Sequence, residues 1–324
     1  MEKEARTEPS RRAYPGRSAA VDGPGALSAS GATGTTFTGA VGATQALASL
    51  AVTGPAQVNG GAVATAGNAS FAGTTTFGAS TTIAAGGTLS LGANAAAGGF
   101  DLTLQAGEID FASGITLSGR NLSFSGPMQG SGALTFGATG TLAVRGDLTT
   151  GGALSVGTPS LLVLAGDISS LGDLLFAGQI RVDGNRTITS RSGGDVLFQS
   201  TITGTSDDAD SLYVVCSGLT SFTAAVGDPV RMHRLETDHP GTIRTAPSAN
   251  AVIVIYGELE NPENTGGGAA LTQAYSAVWQ SSPWIAPAQD EDENRAENAD
   301  AGAENAFQRK VNRVLAPAAA RMLF

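Results

Sequence analysis

Between residues 35 and 256, large apolar side chains mostly alternate with small or polar residues in short runs. Ser70-Phe71-Ala72, Thr88-Leu89-Ser90-Leu91, Phe100-Asp101-Leu102-Thr103-Leu104 and Asn121-Leu122-Ser123-Phe124 show the pattern, as do Ala133-Leu134-Thr135-Phe136 and Asp195-Val196-Leu197-Phe198. A period of two marks a strand with one buried face. A glycine follows nearly every run, at Gly73, Gly78, Gly92, Gly107, Gly119, Gly126 and Gly137. Long helices are excluded at that density, because each glycine costs about 1 kcal/mol relative to alanine inside a helix. The predicted strands are about four residues long, too short for a meander of hairpins to bury a face. They suit a solenoid, in which each strand stacks on its equivalent one coil below.

Internal repeats support that reading. Thr76-Phe77-Gly78-Ala79 matches Thr135-Phe136-Gly137-Ala138 at an offset of 59, and the match runs on to Gly87/Gly146 and Leu89/Leu148. Thr35-Thr36-Phe37-Thr38-Gly39-Ala40-Val41-Gly42 matches Thr220-Ser221-Phe222-Thr223-Ala224-Ala225-Val226-Gly227 at an offset of 185, and Leu50 then falls on Leu235. A Gly-Asp-apolar triplet recurs in two pairs, Gly146-Asp147-Leu148 with Gly166-Asp167-Ile168 at an offset of 20, and Gly172-Asp173-Leu174 with Gly194-Asp195-Val196 at an offset of 22. All these offsets are near multiples of a coil of ~20 residues. The expected fold is an all-β, right-handed parallel β-helix over residues 31–257. It has about 11 coils, three short strands per coil, a triangular cross-section and a length of roughly 50 Å at the usual strand spacing.

Composition shifts mark the flanks. Residues 1–30 are polar and rich in proline and glycine, and are expected to be disordered. Residues 258–297 read as an acidic, glycine-rich linker, with Glu258, Glu260 and Glu263 followed by Gly266-Gly267-Gly268. Residues 298–324 carry Phe307, Val311, Val314 and Leu315 at helical spacing with Arg309, Lys310 and Arg313 between them, an amphipathic helical tail that stops before Pro317.

The net charge of −10 argues against nucleic acid as a partner. Residues 290–304 hold seven of the acids and one base, Arg295. No apolar run approaches the roughly 18 residues of a membrane helix, so no transmembrane segment is expected. The single cysteine, Cys216, lies in the apolar run Leu212-Tyr213-Val214-Val215 and reads as a buried thiol.

Thr36-Phe37-Thr38-Gly39-Ala40-Val41-Gly42 with Leu47-Ala48-Ser49-Leu50, and Ser211-Leu212-Tyr213-Val214 leading into Thr220-Ser221-Phe222, resemble repeat units of filamentous-haemagglutinin-type exoproteins and autotransporter passengers of Gram-negative bacteria. The resemblance covers residues 35–256 and implies a secreted or cell-surface, adhesin-like rod. Its implied partners are a host-cell or matrix surface, or other envelope components. Such proteins begin with a signal peptide and a secretion domain, or end in a β-barrel. None of these is visible in this chain, which is therefore expected to be a fragment of a larger exoprotein or to have a misassigned start. The resemblance also makes Arg145-Gly146-Asp147 a candidate receptor contact, the guanidinium toward a carboxylate and the Asp147 carboxylate toward a receptor metal. The competing reading is a plain coil corner, because Gly-Asp-apolar recurs without the arginine.

Other chemistry is weaker. Glu108, Asp110, Asp147, Asp167, Asp173, Asp183 and Asp195 are the carboxylates from which a polysaccharide-active β-helix would draw a catalytic pair. Each follows a glycine or ends a strand, where aspartate commonly stabilises a turn. Asp207-Asp208-Ala209-Asp210 offers a loose calcium loop or a solvated acidic one. His233 and His239, with Asp238, fall short of the three or four placed ligands that metal sites use. The Thr-x-Thr pairs at Thr36, Thr187 and Thr201 do not stack in every coil, as an ice-binding face would require. No nucleophile elbow, phosphate loop or paired CxxC is present. The expectation is a non-enzymatic protein without a cofactor or metal, with a polysaccharide-binding or polysaccharide-degrading β-helix as the alternative.

Overall fold

A computed structural model describes residues 20–237 except residue 228, together with the backbone of four further strands, Thr242–Arg244, Ala251–Ile255, Glu258–Leu259 and Val278–Trp279. The amphipathic tail at 298–324, and with it the acidic run at 290–304, lies outside the described residues. The described chain is all-β and forms a parallel β-solenoid of about 11 turns, as expected. Parallel pairing needs a long return connection. Here the other two faces of each coil provide it.

The first face stacks Ala26–Ala29, Ser49–Val52 and Ala69–Phe71, then the ends of Thr81–Leu91 and Leu102–Phe111, then Met128–Gly130, Leu148–Thr150, Ile168–Ser170 and the end of Asn185–Ser190. The second runs from Thr35–Phe37 through Ala56–Val58, Thr75–Phe77, Ala95–Ala96, Ile115–Gly119, Leu134–Ala138, Leu154–Val156, Leu174–Phe176 and Val196–Phe198 to Leu219–Phe222. The third stacks Ala62–Thr65, the starts of Thr81–Leu91 and Leu102–Phe111, Leu122–Ser125, Thr141–Val144, Leu161–Leu164, Ile180–Val182 and Ile202–Thr203. Thr81–Leu91 and Leu102–Phe111 run through a corner without breaking, and so join the first and third faces into one 19-stranded sheet.

Inward positions form columns along the rod. One column on the first face is Leu27, Leu50, Ala69, Leu89, Ile109, Met128, Leu148, Ile168 and Ile188, all buried. The second face contributes a phenylalanine ladder. Phe198 packs on Phe176 at 5.2 Å and 10°, and on Phe222 at 4.9 Å and 6°. At mid-rod, one ring from each face meets: Phe111 lies 6.3 Å from Phe124 and 6.2 Å from Phe136, and Phe124 and Phe136 are 5.0 Å apart.

The first face also buries polar groups. Thr150, Ser170 and Ser190 follow one another in a second inward column, which Cys216 continues. Thr150 Oγ1 donates to the Gly152 carbonyl at 2.6 Å, and Ser170 Oγ lies 2.7 and 2.9 Å from the carbonyls of Gly152 and Gly172. Ser190 Oγ reaches Gly172 O at 3.0 Å. A corner carbonyl turned inward needs a donor, and these hydroxyls supply it. Cys216 is buried, as expected, and its Sγ lies 3.5 Å from Gly194 O.

Both boundaries differ from the expected ones. Ala26–Ala29 lies within the stretch expected to be disordered, and Val21 already bridges Val41. The surrounding prolines and glycines mask a short alternating run, Ala26-Leu27-Ser28-Ala29, in the average composition. Glu258–Leu259 and Val278–Trp279 lie in the expected linker. The first pairs in parallel with Thr242–Arg244 and the second in antiparallel with Ala251–Ile255. An open sheet edge accepts a strand through its backbone, with little demand on side chains.

Candidate functional site

The chemically distinctive residues gather at the corners. Arg145, Gly146 and Asp147 form the turn between Thr141–Val144 on the third face and Leu148–Thr150 on the first. Arg145 and Asp147 are exposed. Asp147 Oδ1 accepts the Asp167 N–H of the next coil at 2.9 Å, and Asp167 Oδ1 accepts the Thr187 N–H at 2.9 Å. The opposite corner repeats this device: Asp173 Oδ1 accepts from Asp195 N at 2.9 Å, and Asp195 Oδ1 from Leu219 N at 2.8 Å. A corner residue leaves the strand ladder, so its N–H loses its regular acceptor. A carboxylate from the coil below replaces it.

Asparagine does the same work elsewhere. Thr88, Thr116 and Thr141 donate their N–H groups to Oδ1 of Asn68, Asn94 and Asn121 at 3.0, 2.8 and 2.7 Å. The sequence reading missed these three, because it followed an aspartate triplet and not the shared carbonyl oxygen. Four of the seven carboxylates considered for glycoside chemistry, Asp147, Asp167, Asp173 and Asp195, are corner acceptors. Glu108 accepts a hydrogen bond from Gln129 Nε2 at 2.5 Å.

Gly146 is required by close approach. A Cβ there would lie 2.0 Å from the Gly126 carbonyl oxygen, and one on Gly166 would lie 2.2 Å from the Gly146 oxygen. Neighbouring coils touch backbone to backbone along this corner, which cannot yield as a flexible side chain would. Gly146→Ala should therefore destabilise the rod by about 2 kcal/mol, the usual cost of overpacking. Urea unfolding would test this, and a loss below the measurement error would contradict it.

One loop departs from the uniform corners. Residues 205–209 are exposed, while Asp210 is only 2% exposed. Asp210 Oδ1 accepts the Gly184 N–H at 2.6 Å, and its Oδ2 accepts the N–H and hydroxyl of Thr205 at 2.5 and 2.8 Å. Burial alone would raise its pKa, but the hydrogen bonds from Thr205, Gly184 and Ser206 prevail and hold it below the ordinary carboxylate value. Asp207 Oδ1 accepts the Arg231 N–H at 2.9 Å, and Asp208, which adopts φ 57°, pairs with the Arg231 guanidinium. The run read as an acidic loop is thus a clamp that fastens the insertion to neighbouring coils. Among the described residues, no group of three or more His, Cys, Asp or Glu side chains is placed to hold a metal. His233 is exposed on Met232–Thr237. Asp238 and His239 lie outside the described residues.

Two further features complete the surface. Asp101 receives both Nε and Nη2 of Arg120 at 2.8 Å and Asn121 Nδ2 at 2.8 Å, and the Arg120 contact leads in lowering its pKa. A shallow trough crosses the corner where the two long strands run through, lined by Thr65, Ala84, Gln105, Ala106 and Ser125 among others.

Comparison with protein-family models, curated proteins and solved structures finds no match for the chain.

Proposed function

We propose that the chain is a non-enzymatic β-solenoid rod of a surface or secreted protein, adhesin-like in role, whose shaft carries its exposed corners and the 205–209 loop outward. The observation that carries this reading is the use of the corner carboxylates. Asp147, Asp167, Asp173 and Asp195 each bind a backbone N–H of the adjoining coil and so serve the length and stiffness of the shaft. The resemblance of its repeats to exoprotein repeats supports a place outside the cell. Binding of the purified rod to epithelial cells or matrix proteins tests adhesion, and protease shaving of intact cells tests location. Protein confined to the cytoplasm would refute the surface reading.

On this reading Arg145-Gly146-Asp147 is a corner and not a ligand. Asp147→Glu should leave cell binding unchanged and cost about 1–2 kcal/mol of stability, because the longer side chain disturbs the hydrogen bond from the Asp167 N–H. Binding abolished with the fold intact would instead make the tripeptide the receptor contact. The alternative reading is a polysaccharide-binding or polysaccharide-degrading β-helix. Glycan-array binding and assays for released sugars would separate that reading from protein adhesion.

A further inference from the structure

One phenylalanine stays out of the core. The other nine among the described residues are 4% exposed or less, whereas Phe100 is 42% exposed. Its ring forgoes the burial that its counterparts obtain. It follows Gly98-Gly99 at the corner before Leu102–Phe111, and a Cβ added at either glycine would meet nothing within 4 Å. The corner stands clear of its neighbours.

From Phe100 a polar strip crosses the third face. Residues two apart on a strand point the same way. With Leu102 and Leu104 buried, Asp101, Thr103 and Gln105 therefore face outward. Thr82 and Ser123 flank Thr103 in the adjoining coils, and Ser125 lies beside Gln105. Leu102–Phe111 then runs through the next corner unbroken, where Gln105 and Ser125 line the shallow trough. The strip spans roughly 13 Å from Asp101 to Gln105 at the usual rise per residue. At the corners, the polar groups of aspartate and asparagine are used up by backbone N–H groups of the next coil. On the strip, the side chains of Thr82, Thr103, Gln105, Ser123 and Ser125 make no hydrogen bond to another described residue. At the Phe100 end, two bonds to Asp101 hold the Arg120 guanidinium flat and leave further N–H groups over.

We propose that this strip binds a neutral, extended oligosaccharide with Phe100 as its platform. The C–H groups on one face of a pyranose ring carry slight positive charge and stack on the negative face of an aromatic ring. Sugar hydroxyls both donate and accept, and the hydroxyls and the Gln105 amide beside them do the same. Asp101 and Arg120 cancel one another, and Thr82, Thr103, Gln105, Ser123 and Ser125 carry no charge, so nothing on the strip selects an anionic sugar. The inference rests on the polysaccharide-binding reading above and gives it a site.

Calorimetric titration of the full chain with cellohexaose, xylohexaose and mannohexaose tests the proposal, with a heparin hexasaccharide as the anionic control. At least one neutral hexasaccharide should bind, and the heparin fragment should not. Phe100→Ala should weaken binding roughly tenfold through loss of stacking, and Gln105→Ala about threefold through loss of a hydrogen bond. Leu171→Ala, at a comparably exposed apolar residue on another corner, should leave binding unchanged. Phe100→Tyr keeps the ring and should keep the affinity, which separates stacking from a loss of fold. Full affinity in Phe100→Ala would overturn the site while leaving the polysaccharide reading in place. Failure of every neutral hexasaccharide to bind the wild-type chain would overturn both, and preference for the heparin fragment would overturn the site.

Discussion

Phe198→Ala should be the most damaging single truncation on the second face, at about 4 kcal/mol. The side chain is fully buried, with Phe176 stacked on one side at 5.2 Å and Phe222 on the other at 4.9 Å. Removing a buried phenylalanine costs about 3–5 kcal/mol, because the lost transfer energy is joined by a cavity that the surroundings fill only in part. Collapse is restricted here. The two flanking rings sit on strands whose spacing the backbone ladder holds at about 4.8 Å. Leu197, the outward neighbour, provides the control, since its truncation should cost less than half as much. The effect should also be local. In a stacked array each coil is stabilised by its neighbours, so hydrogen exchange should quicken in Leu219–Phe222 and later strands and stay unchanged in Leu122–Ser125. Equal losses at Phe198 and Leu197 would refute the ladder as the source of the effect.

The second large effect is expected at Asp210. Asp210→Ala removes the acceptor for Gly184 N, Thr205 N and the Thr205 hydroxyl, and leaves those donors without a partner beneath the loop. Each lost hydrogen bond to a charged group costs about 1.5–3 kcal/mol, with partial rescue by water, so a total near 3 kcal/mol is expected. Asp210→Asn should recover only part of it. Both carboxylate oxygens accept, and an amide nitrogen in one of their places would face donors.

The pH dependence has a definite sign. The folded pKa of Asp210 is depressed, so its contribution is fully present above the unfolded value of about 3.9 and is lost as pH falls through the folded value. Wild-type stability should therefore decline below about pH 4 more steeply than that of Asp210→Asn. Parallel declines in the two proteins would remove the clamp from the explanation.

Much of the candidate surface could be read in advance at Asp147, because Gly-Asp-apolar recurs at coil-length offsets and a recurring residue in a solenoid serves the coil. Its hydrogen-bond partner then lies one coil away, at Asp167. Asp210 was harder to see. Its place in a run of acids pointed to solvent, and the signal for a buried clamp was Thr205-Ser206 shortly before it, hydroxyl and backbone donors in a tight turn. The partner Gly184 comes from a different coil, and no local pattern reveals it.

The sequence alone determined the architecture and the direction of each side chain. Alternation with period two, glycine after each run and offsets near multiples of 20 leave little but a stacked parallel coil. What only the tertiary structure decided was the register of those coils. Matched by sequence, Phe222 falls on Phe37 and Phe136 falls on Phe77. In the structure, the column below Phe222 passes through Phe198, Phe176, Val156, Phe136, Leu117, Ala95, Thr75 and Ala56 to Thr35. Phe37 and Phe77 belong to the adjacent column, two residues away. On the first face the 59-residue match is in register, since Leu89 reaches Leu148 through Ile109 and Met128, whereas the column of Leu50 reaches Thr237 and not Leu235. The corners differ in length, and the ladder slips between Ala106 and Glu108, so faces accumulate different offsets. A shift of two residues keeps every side chain on its own side of the sheet. Inward residues stay inward, and the apolar pattern reads the same in either register. Only the packing of actual rings and corners against one another distinguishes the two.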